Sequence, residues 1–373
     1  TISVGVIGSG NEIHTVGLTG ADGITLGGNI TTIDSTGNTA AANASFTGPV
    51  TLGADVTITT IDNDVDGAVT FSSTINSTGG VRELDIVADD AAVTISGVIG
   101  GDASLESLDI NKAAGSTGAI TLAGIGDGDT AGVDGAATLI GNANTTTITL
   151  GGTVYKSDDA MTFAAATSTS INGADAAFTT TADALTFTGP VLLGASAGTP
   201  TMTTAGGALS FSSTLDGNAS GTQNLTISTA GGAVTFTGKV GDTQALGSLL
   251  VNNSAGSGAI TFTEDIGGTN AGTTGVTTIG NTDTASITFS NDVYKTGGAT
   301  TYQATSGANL DVNGTDTTFT TSADAISFLE ADVTIAAGTL TVNSVGGAIT
   351  FGGSIVGTSA EDLVLNANGG STN

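Results

Sequence analysis

Short apolar–polar–apolar triplets run the length of the chain. Val69-Thr70-Phe71, Val93-Thr94-Ile95, Ile120-Thr121-Leu122, Ile148-Thr149-Leu150, Val234-Thr235-Phe236 and Ile260-Thr261-Phe262 form one series. Leu84-Asp85-Ile86, Leu108-Asp109-Ile110, Leu225-Thr226-Ile227, Leu249-Leu250-Val251 and Leu363-Val364-Leu365 form a second. Alternation with period two predicts β-strands that turn the apolar residues to one face and Thr or Asp to the other. Glycine-rich pieces between them, such as Gly100-Gly101-Asp102 and Gly267-Gly268, predict the corners.

The intervals carry more than the triplets. Gly67-Ala68-Val69-Thr70-Phe71 returns as Gly207-Ala208-Leu209-Ser210-Phe211 and as Gly347-Ala348-Ile349-Thr350-Phe351, so 211 − 71 = 140 and 351 − 211 = 140. Within that long repeat, copies end at Phe187, Phe211, Phe236, Phe262 and Phe289, at steps of 24, 25, 26 and 27 by subtraction. Strands this short cannot bury a face alone, but coils stacked on one another can. The expected fold is all-β, a parallel β-helix (β-solenoid) with coils of about 25 residues and a long repeat of about 140. Residues 1–373 read as one continuous solenoid of roughly 15 coils, on the order of 70 Å long at about 4.8 Å per coil. Phe71, Phe211, Phe236 and Phe262 are then core-column residues. A row of β-sandwich domains would explain the 140-residue period but not the shorter one. Because the chain starts and stops partway through the long repeat, it reads as a mature form or a fragment of a longer repeat protein.

Composition narrows the partners. The chain holds 59 Gly, 4% aromatic residues, no Cys, and 34 acids against five Lys and Arg, for a net charge of −29. Nucleic acid and anionic lipid are poor partners for such a surface. Cations, basic proteins and neutral glycans fit it better. A scaffold without disulfides has to be held by its own packing. No stretch is apolar enough for a membrane helix, so no membrane insertion is expected, and the first residues lack a basic-then-apolar signal segment.

The cadence from Gly231 to Phe262, GGAVTFTGKVGDTQALGSLLVNNSAGSGAITF, resembles the β-strand repeats of filamentous-haemagglutinin-type exoproteins and related giant bacterial adhesins. The similarity is one of repeat style and covers most of the chain. It implies a right-handed parallel β-helix, secretion, and an extracellular or cell-surface role. The secretion domain expected in that family is not identifiable in the sequence.

Candidate chemistry is sparse. Asp62-Asn63-Asp64-Val65-Asp66-Gly67 reads D-x-D-x-D-G, and Asp62, Asp64 and Asp66 are candidate Ca²⁺ ligands at alternate positions of a tight loop. Ser73 stands where an EF-hand loop needs its acid, so a solvated acidic turn is the competing reading. A second acidic loop, Asp127-Gly128-Asp129 followed by Asp134, is weaker. The basic groups are Arg82, Lys112, Lys156, Lys239 and Lys295, with His14 the single imidazole. Lys156 and Lys295 occupy equivalent repeats, Val154-Tyr155-Lys156 and Val293-Tyr294-Lys295, which points to structure. The chain is therefore expected not to be an enzyme, with a polysaccharide-active β-helix that uses acid pairs as the less favoured alternative. Thr57-Ile58-Thr59 and Thr147-Ile148-Thr149 raise ice binding, but in sequence such pairs do not fall into a fixed column. Asn142, Asn252 and Asn281 are read as corner residues or stacked amides.

The expectation is a secreted bacterial adhesin stalk or extracellular scaffold without catalysis. Its partners would be a cell-surface glycan or protein, or copies of itself. The alternative is a filament or sheath subunit that stacks end to end.

Overall fold

A computed structural model of the chain describes residues 1–10, 13–33, 40–62, 64–218, 221–252 and 256–367. No described residue is helical. The described strands are two to six residues long. They stack in parallel as a β-solenoid of about 15 turns, each of roughly 24 residues. The chain divides into two compact units, Thr1–Gly189 and Pro190–Asn373.

In the first unit three ladders line the coils. One carries Val16–Thr19, Ala44–Thr47, Val69–Phe71, Val93–Ile95, Ile120–Leu122, Thr147–Leu150 and Ser168–Ile171. A second runs from Ile30–Thr31 through Val56–Thr59, Glu83–Val87, Ser107–Ile110, Thr138–Gly141 and Met161–Ala164 to Leu185–Thr188. The third starts at Ile2–Val4 and, after Ile75–Ser77, is reduced to single bridges through Ile99 and Ile125 before it widens again at Val154–Ser157. Register is strict: Val69 faces Val93, Thr70 faces Thr94 and Phe71 faces Ile95, and the next coil adds Ile120, Thr121 and Leu122. The triplet pattern thus becomes columns, apolar inside and hydroxyl outside.

The second unit repeats the plan. Leu209–Phe211, Val234–Phe236, Ile260–Phe262, Ile287–Phe289, Asn309–Val312, Asp332–Ile335 and Ile355–Gly357 make one ladder. Thr201–Thr204, Leu225–Thr229, Leu249–Val251, Thr277–Gly280, Thr300–Gln303, Ile326–Leu329 and Ile349–Phe351 make another. Phe211 and Phe351, equivalent in the long repeat, therefore lie on different ladders. From Phe211 the first ladder climbs through Phe236, Phe262, Phe289 and Val312 to Ile335, five coils on. The chain then crosses one further face, Thr339–Ser344, and reaches Phe351 on the next. Between Phe211 and Phe351 the 140-residue step is therefore five turns and two thirds, so the later copy presents its motif one face around.

The core is a file of apolar side chains. Phe71, Phe211, Phe236 and Phe262 are no more than 1% exposed, as expected of column residues. Rings stack along the column, Phe211 on Phe236 at 5.2 Å, Phe236 on Phe262 at 4.7 Å and Phe262 on Phe289 at 5.7 Å between centroids. In the first unit Phe46 stacks on Phe71 at 4.5 Å and Tyr155 on Phe178 at 4.8 Å. Offset stacking adds about 0.5–1.5 kcal/mol per pair to the burial of each ring.

Polar residues close the corners. Buried Thr229 donates its hydroxyl to the Gly232 carbonyl at 2.6 Å, and Thr60 and Thr204 make the matching bonds to Gly67 and Gly207. The side chain thereby satisfies a carbonyl that the sharp turn takes out of the ladder. Asn252 adopts φ 47°, and the buried Asn281 amide above it donates to the Asn252 carbonyl and, at 3.1 Å, to that of Gly256. Asn142 does the same over Asn111 and Ser116, at 2.7 and 3.0 Å. These are the corner and stacked-amide roles read from the sequence.

Two substitutions test this packing. Phe236→Ala removes a ring held between two others and is expected to cost about 3–5 kcal/mol in urea unfolding. Asn281→Ala leaves buried carbonyls without donors and should cost about 1–3 kcal/mol. If both leave the midpoint unchanged, the columns do not hold the coils.

Candidate functional site

The D-x-D-x-D-G loop lies between the strands Val56–Thr59 and Val69–Phe71, with Asn63 outside the described residues. Asp66 turns back into the fold. Its Oδ1 accepts the Asp62 N–H at 2.8 Å, and its Oδ2 accepts the Asp90 N–H of the next coil at 3.1 Å. The carboxylates that converge are Asp66, Asp89 and Asp90, with one oxygen of each within 4.8 Å of the others. Asp62 and Asp64 are not in that group, and Asp64 is exposed.

The sequence reading missed Asp89 and Asp90 because they sit one coil on; the signal for them was the coil length itself. Asp89 holds φ 45° at a corner, and Asp90 accepts the Thr117 hydroxyl at 2.7 Å, binding to the following coil in turn. These three acids are the residues here that could share a cation, and two of them already serve as ties between coils.

A second cluster lies on the outer side of the strands Val56–Thr59, Glu83–Val87 and Ser107–Ile110. Outward positions of successive coils put Asp55, Glu83, Asp85 and Asp109 around a cleft of about 290 Å³, with Lys112 at its edge. Asp85 and Asp109 are direct ladder partners. The Lys112 ammonium donates to Asp109 and lies 4.0 Å from Asp85. Burial raises the Asp85 carboxyl above its ordinary value, Lys112 opposes the rise, and the neighbouring Asp109 charge adds to it. The hydrogen bond to Asp109 holds the Lys112 ammonium above its usual range. Pairing in register thus creates a like-charge contact that one lysine relieves.

Three other lysines also bind groups of the fold. Lys156 donates to the carbonyls of Gly128 and Asp129 at 3.2 and 3.0 Å, pinning the Asp127-Gly128-Asp129 loop of the preceding coil. Its repeat-mate Lys295 donates to the Thr269 carbonyl at 2.7 Å, on the matching loop. Lys239 lies 3.5 Å from Asp265 and 3.8 Å from Asp242. In the acidic loop Asp127 accepts the N–H groups of Thr130 and Asp129, which hold its carboxyl below the ordinary value. His14 contacts the Ala40 carbonyl at 3.2 Å and the Thr15 hydroxyl at 3.1 Å.

Lys112→Ala is expected to lower stability at neutral pH by up to about 1 kcal/mol, the range of exposed pairs. The sign follows from the partners. The lysine's contribution needs an ionised Asp85, whose carboxyl burial holds above its ordinary value, so the difference from wild type should fade as pH falls through the acid range. Thermal unfolding of both proteins between pH 3 and 8 checks this, and an offset independent of pH would contradict it.

No family model matches this chain, and neither a curated protein nor a solved structure similar to it was found.

Proposed function

We propose that the chain is a non-catalytic extracellular scaffold of a bacterial surface, in the manner of an adhesin stalk. The observation that supports this reading is how the polar side chains are used. Asp66, Asp90, Asn76, Asp216 and Asp332 each accept N–H groups from the next coil, and Lys156 and Lys295 bind loop carbonyls of the preceding one. These polar groups are spent on joining one coil to the next. The likeness in repeat style to filamentous-haemagglutinin-type exoproteins agrees with this reading, as does a surface too acidic for nucleic acid.

All three Tyr are buried, as are eleven of the twelve Phe, and the chain has no Trp. Phe351, the twelfth Phe, is half-buried. A sugar ring would therefore find no exposed aromatic platform, so a cell-surface protein or another copy of the chain is favoured over a glycan. The second reading, as expected from the sequence, is a filament subunit that stacks end to end.

Force spectroscopy on the full chain tests the scaffold reading. Pulling should release the fold in steps of one or a few coils, each coil giving about 80 Å of contour at about 3.4 Å per residue. Cell-binding assays of the labelled chain separate adhesin from plain scaffold, and micrographs showing filaments would favour the subunit. Turnover of a polysaccharide substrate would sink the non-catalytic reading.

A further inference from the structure

In the second unit, four consecutive coils bring paired hydroxyls into two straight columns. The ladder aligns Ser210, Thr235, Thr261 and Thr288. Two residues on, Ser212, Thr237, Thr263 and Ser290 are all exposed. This second column stays in register, since Thr237, Thr263 and Ser290 donate their N–H groups to Phe211, Phe236 and Phe262 at 2.9, 2.8 and 2.9 Å. Ala208, Ala233, Ala259 and Ser286 complete the rows.

The sequence alone hid this array because the coils differ in length. Their steps of 25, 26 and 27 residues are absorbed at the corners, so a constant spacing does not reveal the columns. The pair Thr57 and Thr59 forms no fixed column, facing Asp85 and Val87, but the pairs of these four coils do.

We propose that this face binds crystalline water, that is, an ice surface. Rows lie about 4.8 Å apart and columns about 6.6 Å apart on a pleated sheet. Branching at Cβ limits the five Thr of the two columns to few rotamers, while Ser210, Ser212 and Ser290 supply hydroxyls alone. Each hydroxyl both donates and accepts, as an ordered water layer requires. No position of the array is ionisable, although the chain carries a net charge of −29, and the panel ends where Asp311 enters the column.

Other occupants fit less well. A panel of four coils covers on the order of 300 Å², against about 800 Å² per partner in a stable protein pair. Two copies would also bring like net charges together, and a sugar would find no exposed aromatic ring. In the first unit the central column is longer, from Ser45 through Thr70, Thr94, Thr121 and Thr149 to Ser170. Hydroxyls two residues on accompany only its first three rows, at Thr47, Ser72 and Ser96.

The test is ice-recrystallisation inhibition and partition of the full chain into growing ice. Wild type should inhibit and enter the ice. Thr261→Tyr, which props a ring above the panel, should reduce both several-fold, and Thr235→Tyr with Thr261→Tyr should abolish them. Thr226→Tyr, on the neighbouring ladder, should change neither. Thr263→Tyr at an exposed row end repeats the test should Thr261→Tyr fail to fold by circular dichroism. Absence of ice activity in wild type, or activity indifferent to Thr261→Tyr and Thr263→Tyr, overturns the proposal. Self-association lost in the tyrosine variants without any ice activity would overturn it too, and would assign the panel to a second copy.

Discussion

Everything in this fold depends on the parallel hydrogen-bonded register between one coil and the next. A lone triplet such as Val234-Thr235-Phe236 buries nothing, and its backbone groups have no partner within the coil. Set against Leu209–Phe211 on one side and Ile260–Phe262 on the other, it gains both. Register also decides the chemistry of every column, because a slip of one residue would put Thr inside and Phe outside. Columns of like residues follow, and their consequences differ by side chain. Phenyl rings stack to advantage, amides cap the carbonyls below them, and carboxylates repel. The Asp85–Asp109 pair is the penalty of strict register, and Lys112 is the local remedy.

The fold was legible because the solenoid writes itself into the sequence twice, as triplets and as their spacing. Phe71, Phe211, Phe236 and Phe262 could be placed in the core from their neighbours alone. The two compact units were not legible, since no change in composition marks Gly189 and Pro190. Nor was the turn fraction of the long repeat, which needs the number of faces per coil. Buried threonines such as Thr60 and Thr229 carry no mark in the sequence that separates them from outward ones, yet their hydroxyls satisfy corner carbonyls inside the fold.

Sites were harder to read than fold for the same physical reason. In a solenoid the neighbours of a side chain lie one coil away in sequence, by a distance that varies with the corner loops. Asp66 was found, but its companions Asp89 and Asp90 were not, while Asp62 and Asp64 lie close in sequence and outside the cluster. The lysine pair Lys156 and Lys295 was read correctly, because a residue kept in both copies of a repeat answers to the repeat's own structure.

Register can be measured directly, since the chain has no cysteine of its own. Thr94 and Thr121 are ladder partners, close enough in a parallel sheet for a disulfide between their replacements. Under mild oxidation Thr94→Cys with Thr121→Cys should close an intramolecular disulfide nearly quantitatively. Thr94→Cys with Thr117→Cys, four residues out of register, should not. Equal cross-linking of the two pairs, or preference for the second, would contradict the coil-on-coil register on which the account stands.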